Sequence, residues 1–147
     1  MTERVIVASG YFDPMHVGHL EYLQRSKDLG GRLIVIVNND RQASLKKGKP
    51  FMSCRERVKL VRGLKCVDAA IEACDDDRSV CKTLRILHPD IFTNGGDQTN
   101  ESIPEAAVCK ELSIEMVDNL GGKVQSSSWL ISKTKGEVPT VKEDPNA

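Results

Sequence analysis

The stretch "RVIVASGYFDPMHVGHLEYLQRSKDLGGRLIVIVN", residues 4–38, contains the unit from which the fold can be read. It opens on a β-branched run, "RVIVAS" (4–9), that stops at Gly10. A helical segment follows at "HLEYLQRSKDL" (19–29), and the glycine pair at 30–31 is a natural C-terminal stop. The unit closes on "RLIVIVN" (32–38), almost wholly apolar, as a strand is when both of its faces are covered. Strand, helix and strand in this order predict a parallel pair joined by a crossover helix.

The same alternation continues. After a polar, lysine-rich connection, "NDRQASLKKGKPFM" (39–52), Ser53 and Glu56 have capping-box spacing and open a helix with Val58, Val61 and Leu64 on one face. "AAIEA" (69–73) reads as a strand and "DDDRSVCKTLRIL" (75–87) as an acid-capped helix with Val80, Leu84 and Leu87 aligned. "DIFTN" (90–94) is a strand ending at Gly95-Gly96. Ser102 and Glu105 give a second capping box with Pro104 in the first turn. "IEMVDN" (114–119) is the last strand, and "SSSWLISK" (126–133) begins a final short helix. The expected fold is α/β: a single-domain, Rossmann-like, doubly wound sheet, mostly parallel, of about five strands with helices on both faces. The domain spans 1–134 and the aperiodic residues 135–147 form a flexible tail. In such folds ligands lie beyond the carboxyl ends of the strands. Three unusual stretches fall there: "GYFDPMHVGH", "NGGDQT" and "GGKVQSSS".

Composition excludes several classes. With 21 basic and 21 acidic residues the formal charge is zero, so nothing global attracts the chain to nucleic acid or an anionic membrane. One tryptophan, two tyrosines and three phenylalanines are too few for a basic face with interleaved aromatics. The longest apolar run, "LIVIV" (33–37), is strand-sized. "MTERVIV" lacks the order of a signal peptide, so a cytoplasmic protein is expected. Five cysteines (Cys54, Cys66, Cys74, Cys81, Cys109) include no C-x-x-C pair, and reduced, mostly buried thiols are expected.

His16 and His19 are two of only three histidines, placed i and i+3 at the start of the first helix. Backbone N–H groups are unpaired there and the helix dipole is positive, so a phosphate is the natural guest. Gly18 between them would leave room for a ligand to approach the backbone, while Gly10 and Asp13-Pro14 fit a tight loop. Two other readings stand beside this one. The histidines can simply cap the helix, or they can contribute to a zinc site, for which no third ligand is evident nearby.

"GYFDPMHVGH" resembles the signature of the cytidylyltransferase-like nucleotidyltransferases, roughly G-x-F-D-x-x-H-x-G-H, with Gly10, Phe12, Asp13, His16, Gly18 and His19 matching. The likeness continues through "LGGRLIVIVNND", "KKGKP", "RERVKLVRGLKCVD" and "PDIFTNGGD", covering roughly residues 4–132 in order. The pattern is most similar to the adenylyltransferase domains that activate heptose 1-phosphate, and next to glycerol-3-phosphate cytidylyltransferases.

The resemblance implies transfer of a nucleotidyl group from ATP or CTP to a small phosphorylated molecule, with release of pyrophosphate. His16, His19 and Lys47 would be the catalytic residues. Gly10, Tyr11, Phe12, Gly18, Lys46, Arg57, Asp97, Lys123, Ser126, Ser127 and Ser128 would bind nucleotide, and Asp13 and Lys49 the acceptor. The residues leave alternatives open. The lysine run can be a solvated loop. Arg57 can reach phosphates or pair with a neighbouring acid, Asp97 can be a turn residue, and one of the three serines suffices for an N-cap. The family usually carries an arginine shortly before its serine segment. Here "GGKVQSSS" offers only Lys123, which lacks arginine's two-pronged grip on phosphate. The resemblance further implies magnesium accompanying the triphosphate, with no dedicated protein metal site, and a homodimer. A nucleotide-binding or sensing protein without catalysis is the alternative of a different class.

Overall fold

Among the described residues every strand runs in the same direction. In the computed structural model, which describes residues 3–95 and 103–120, β1 (Val5–Gly10), β2 (Arg32–Val37), β3 (Ala69–Glu72), β4 (Ile91–Gly95) and β5 (Glu115–Leu120) form one parallel sheet. Their order is β3-β2-β1-β4-β5. The chain thus moves outward from β1 through β2 to β3, then returns to the other side of β1 for β4 and β5. That reversal places a switch point at the carboxyl ends of β1 and β4, where open parallel sheets hold their ligands. The expected final helix and the tail lie outside the described residues.

Alternating side chains divide the core between the two faces. Ile6, Ala8, Leu33, Val35, Val37 and Ile91 pack with Leu23 of α1 (Val17–Lys27) and with Val58 and Val61 of α3 (Cys54–Arg62). Val7, Ile36 and Phe92 point the other way. They meet Leu84 of α4 (Cys81–Leu87) and Val108 and Cys109 of α5 (Glu105–Leu112). Beyond the exposed Arg32, β2 is apolar because both of its faces are covered. Each such buried aliphatic side chain contributes about 1.5–3 kcal/mol over its exposed state. The cysteines are all free: Cys54 and Cys109 are buried, Cys66 and Cys81 half-buried, and Cys74 is exposed rather than buried.

Three local expectations are corrected. The polar connection after β2 contains a helix, α2 (Asp40–Lys47), held by a capping box in which Asn39 accepts from the Gln42 N–H and the Gln42 amide oxygen accepts from the Asn39 N–H. It has no apolar stripe because it is anchored by polar contacts. The buried Gln42 amide donates to the carbonyls of Asp77 and Ser79 at 2.6 and 2.7 Å. Next, α4 begins at Cys81, not at residue 75. Asp75 still caps it from a distance, accepting from the N–H groups of Lys82 and Thr83 and from the Thr83 hydroxyl. Finally, Glu105 does not cap its own helix. Its buried carboxylate accepts from the Val80 N–H at 2.8 Å, ahead of α4, and ties α5 to α4.

The turn from α1 into β2 is tight. A Cβ at Gly31 would stand 2.5 Å from the Arg4 carbonyl oxygen. At Gly63, with φ −76°, the closest approach would be an ordinary 3.4 Å. Gly31→Ala is therefore expected to destabilise by about 1–3 kcal/mol, whereas Gly63→Ala leaves stability unchanged or raises it by about 0.4–1 kcal/mol. Urea midpoints at constant slope check both.

Candidate active site

β1 ends at Gly10 and the chain turns at once. A Cβ on Gly10 would lie 2.9 Å from the Phe12 ring, so the glycine makes room for that side chain to fold back into the core. Phe12 has φ +52° and meets the His19 ring edge to face at 5.1 Å. The loop then enters α1 through His16.

Both histidines cap the helix, and the way they do so sets their chemistry. His16 Nδ1 accepts from the Gly18 N–H at 3.1 Å, and His19 Nδ1 accepts from the His16 N–H at 3.1 Å. The two rings stack with centroids 3.8 Å apart. The helix-end N–H groups of His16 and Gly18 are therefore taken by imidazoles and are not held open for an anion. A ring nitrogen that accepts carries no proton, so each neutral ring bears its proton on Nε2. What the rings retain are two Nε2–H donors. Gly18 also differs from expectation. Its Cβ would meet His16 Cε1 at 3.0 Å and Nδ1 at 3.1 Å, so the glycine admits the His16 ring against the helix.

Burial depresses the His19 pKa to about 4, with further lowering from the electrostatic influence of the neighbouring His16 and Lys46. The ring is neutral near pH 7, as its Nδ1 cap requires. Lys46, near the end of α2, lies over the Tyr11 ring with its ammonium 4.3 Å from the centroid. Tyr11, Lys46 and His19 therefore share one corner of the site. The Tyr11 hydroxyl is buried without a hydrogen-bond partner.

Asp13 and Arg57 hold this corner together from beneath. Asp13 is buried, and its two oxygens accept from the N–H groups of Phe51 and Met52, both at 2.8 Å. Arg57 is fully buried. Nε donates to the Met52 carbonyl, Nη1 to the carbonyls of Tyr11 (2.8 Å) and Asn38 (2.7 Å), and Nη2 to Asp40. Of its two sequence readings, the geometry shows the pairing one, with Asp40 as the acid. One guanidinium thereby joins the segments that follow β1 and β2 to the start of α2 and the turn before α3. The sequence reading did not single out Asp40 or Asn38. Nothing in "NND" marks them beyond their place just after a buried strand.

Lys49 is exposed beyond α2. Lys47 ends α2, but its side chain lies outside the described residues, as do Asp97, Lys123, Ser126, Ser127 and Ser128. Among the described residues no three His, Cys, Asp or Glu side chains come together as a metal cage. The donors assembled at α1 are N–H groups, which suit phosphate oxygens rather than a cation. No helix among the described residues is long and apolar enough to cross a membrane.

A parallel sheet with its switch point at β1/β4 and an H-x-G-H helix start define a class, and the sequence profile of that class, described as cytidylyltransferase-like, matches residues 7–132. The chain belongs to the cytidylyltransferase-like family, which places it among the nucleotidyltransferases. It is 32% identical over 126 residues to the bifunctional protein HldE of Helicobacter hepaticus, covering 84% of this chain and 25% of that protein. The HldE of Streptomyces coelicolor is 40% identical over 111 residues, covering 73% and 23%. The chain thus spans about a quarter of the length of these curated relatives. A crystal structure of a lipopolysaccharide core biosynthesis protein from Thermoplasma volcanium superposes with a TM-score of 0.69 at 32% identity, covering 80% of this chain and 96% of that one.

The depressed His19 pKa has a consequence for stability. An unfolded histidine binds its proton near 6.5, the folded one only near 4. The contribution is fully present above 6.5 and is lost as the pH falls toward 4, because the unfolded chain binds more protons in that window. Urea midpoints are expected to fall between pH 7 and pH 4.5. His19→Asn, which keeps an acceptor for the His16 N–H, should flatten that slope. Arg57→Ala, which strands the Tyr11, Asn38 and Met52 carbonyls that the guanidinium answers, is expected to cost about 3 kcal/mol or more by the same measurement.

Proposed function

We propose that this chain transfers a nucleotidyl group from a nucleoside triphosphate to a small phosphorylated molecule, favoured as adenylyl transfer to a sugar phosphate. The observation that carries the reading is the stacked, capped imidazole pair, whose Nδ1 atoms are spent on the helix end and whose Nε2–H groups remain as donors. The preference for a sugar phosphate draws support from the HldE relatives, the lipopolysaccharide-core protein of similar fold, and the heptose-type pattern in the sequence. A cytidylyl donor with a polyol or amino-alcohol phosphate is the second reading, favoured by the description of the family itself.

In this reading an oxygen of the acceptor phosphate attacks the α-phosphorus in line. The new P–O bond forms as the bond to the β-phosphate breaks, and pyrophosphate departs with that electron pair. The attacking phosphate is ionised at neutral pH, so no strong general base is needed. The protein's task is to align two anions and stabilise the charge that develops between them. His16 and His19 would donate from Nε2 to oxygens around the reacting phosphorus. A proton added at Nδ1 of His19 would break its cap with the His16 N–H, so the depressed pKa keeps donor and cap together. Lys46 and Lys47 would bring positive charge from the end of α2. Gly10, Tyr11, Phe12 and Gly18 would shape the pocket, Lys49 would serve the acceptor side, and Asp13 and Arg57, expected to touch acceptor and nucleotide, would instead act through the backbone they hold.

Asp97, Lys123, Ser126, Ser127 and Ser128 complete the proposal as sugar and phosphate contacts. Magnesium would enter with the triphosphate, its charge shared among phosphate oxygens and water. The donor set described above forms no cage of its own for it, so no step is assigned to it. Action in the cytoplasm and assembly as a homodimer are part of the same reading.

Pyrophosphate release tests it, with ATP or CTP and magnesium against a panel of sugar phosphates and polyol phosphates. One productive pair is expected. His16→Asn, which can still cap the helix through its amide oxygen, should lower kcat by roughly a hundredfold or more while nucleotide affinity changes little. Nucleotide binding without release for any acceptor would favour a sensor and overturn the catalytic reading.

A further inference from the structure

At the switch point a side chain stands between two strands. β1 and β4 pair at Ile6 with Ile91 and at Val7 with Phe92. Two residues further along β1, the Ser9 N–H donates to the Tyr22 hydroxyl at 3.2 Å. That hydroxyl donates in turn to the Thr93 carbonyl at 2.7 Å. Two hydrogen bonds in series thus stand where a continuous sheet has one, and the strands part around a phenolic oxygen that comes from α1.

The group is fixed from all sides. Thr93 Oγ1 lies 3.3 Å from the same hydroxyl and 3.4 Å from the Val7 carbonyl. Ser26 Oγ lies 2.9 Å from Thr93 Oγ1 and donates to the Tyr22 carbonyl at 2.9 Å. Tyr22, Ser26 and Thr93 are all buried. Burial raises the Tyr22 pKa to about 12, so the oxygen stays a phenol with a proton to donate. Tyr22 follows His19 by three residues, on the adjacent turn of the same helix face. What the hydroxyl grips in the sheet therefore sets the height of the helix end that carries both imidazoles.

We infer that Tyr22 is a positioning residue: its hydroxyl is the strut that holds β1 and β4 apart at the switch point and seats α1, and with it His16 and His19, against the reacting phosphorus. Its kinetic consequence rests on the nucleotidyl-transfer reading above. Its geometric consequence does not.

Tyr22→Phe removes the strut and keeps the ring. The variant is expected to fold by circular dichroism and to lose kcat by roughly ten- to a hundredfold, the scale of a small misplacement of reacting groups. KM for the nucleotide should stay within about twofold. In long-range ¹⁵N–¹H spectra of ligand-free protein, the ring nitrogens of His16 and His19 should shift, while those of His88 stay put. Ser26→Ala, which leaves the bridge intact, is expected to match wild type in kcat and in these spectra. Wild-type kcat and unmoved His16 and His19 signals in Tyr22→Phe would overturn the inference. If wild type transfers no nucleotide to any acceptor, the catalytic reading falls, and the imidazole signals alone decide the strut. Should Tyr22→Phe not fold, amide exchange in the wild type decides: the Ser9 N–H, held by the Tyr22 hydroxyl, is expected to be protected, and rapid exchange there would sink the strut.

Discussion

The buried guanidinium of Arg57 is the constraint on which the site's architecture depends. The ends of β1 and β2 leave the sheet with carbonyls that no neighbouring strand satisfies, and an unsatisfied buried carbonyl is costly. Arginine alone among the side chains offers five donors in a rigid fork. Here the fork answers the Tyr11, Asn38 and Met52 carbonyls and Asp40 at once. Asp13 performs the complementary task with two acceptors for two backbone N–H groups. Between them, a positive and a negative group stitch together the loops that follow β1 and β2.

In the proposed reaction, the histidine pair lets one set of atoms serve folding and function together. Each imidazole has two nitrogens, and the helix end consumes one of each. That assignment fixes the tautomer without a second carboxylate or carbonyl partner, and stacking keeps the rings parallel. Capping and phosphate binding, which compete as interpretations of an H-x-G-H sequence, are therefore compatible. The cap is what aims the donor.

Much of the fold was legible because the parallel strands are buried on both faces. "RLIVIVN" and "RVIVAS" differ from the observed β2 and β1 by only a residue or so at their ends. What stayed hidden was polar. The helix α2 carries no periodic apolar stripe, and its Asn39–Gln42 cap spacing was the one available signal. Glu105 matched a capping box in sequence, yet its carboxylate reached across to another helix, a choice that only tertiary packing makes. At the site, the motif residues were legible as a group, but their division of labour was not. Gly18 serves a ring rather than a ligand, and Arg57 serves backbone. Tyr22 reads as one more apolar position on α1, because a hydroxyl's partners 71 residues away leave no trace in local spacing.

The attachment of α2 has a mechanical consequence. Its first turn is welded in place by the Asn39–Gln42 cap and by Gln42's grip on the 77–79 loop. Its last residues give way to Gly48, at φ +89° with open space around it. The helix is a cantilever, clamped at the sheet and loaded with lysines at its tip. Such a lever converts a small rocking at the clamp into a larger sweep of positive charge at the far end. The position of the Lys46 ammonium over the Tyr11 ring, at the far end, is thus set by how firmly the first turn is held.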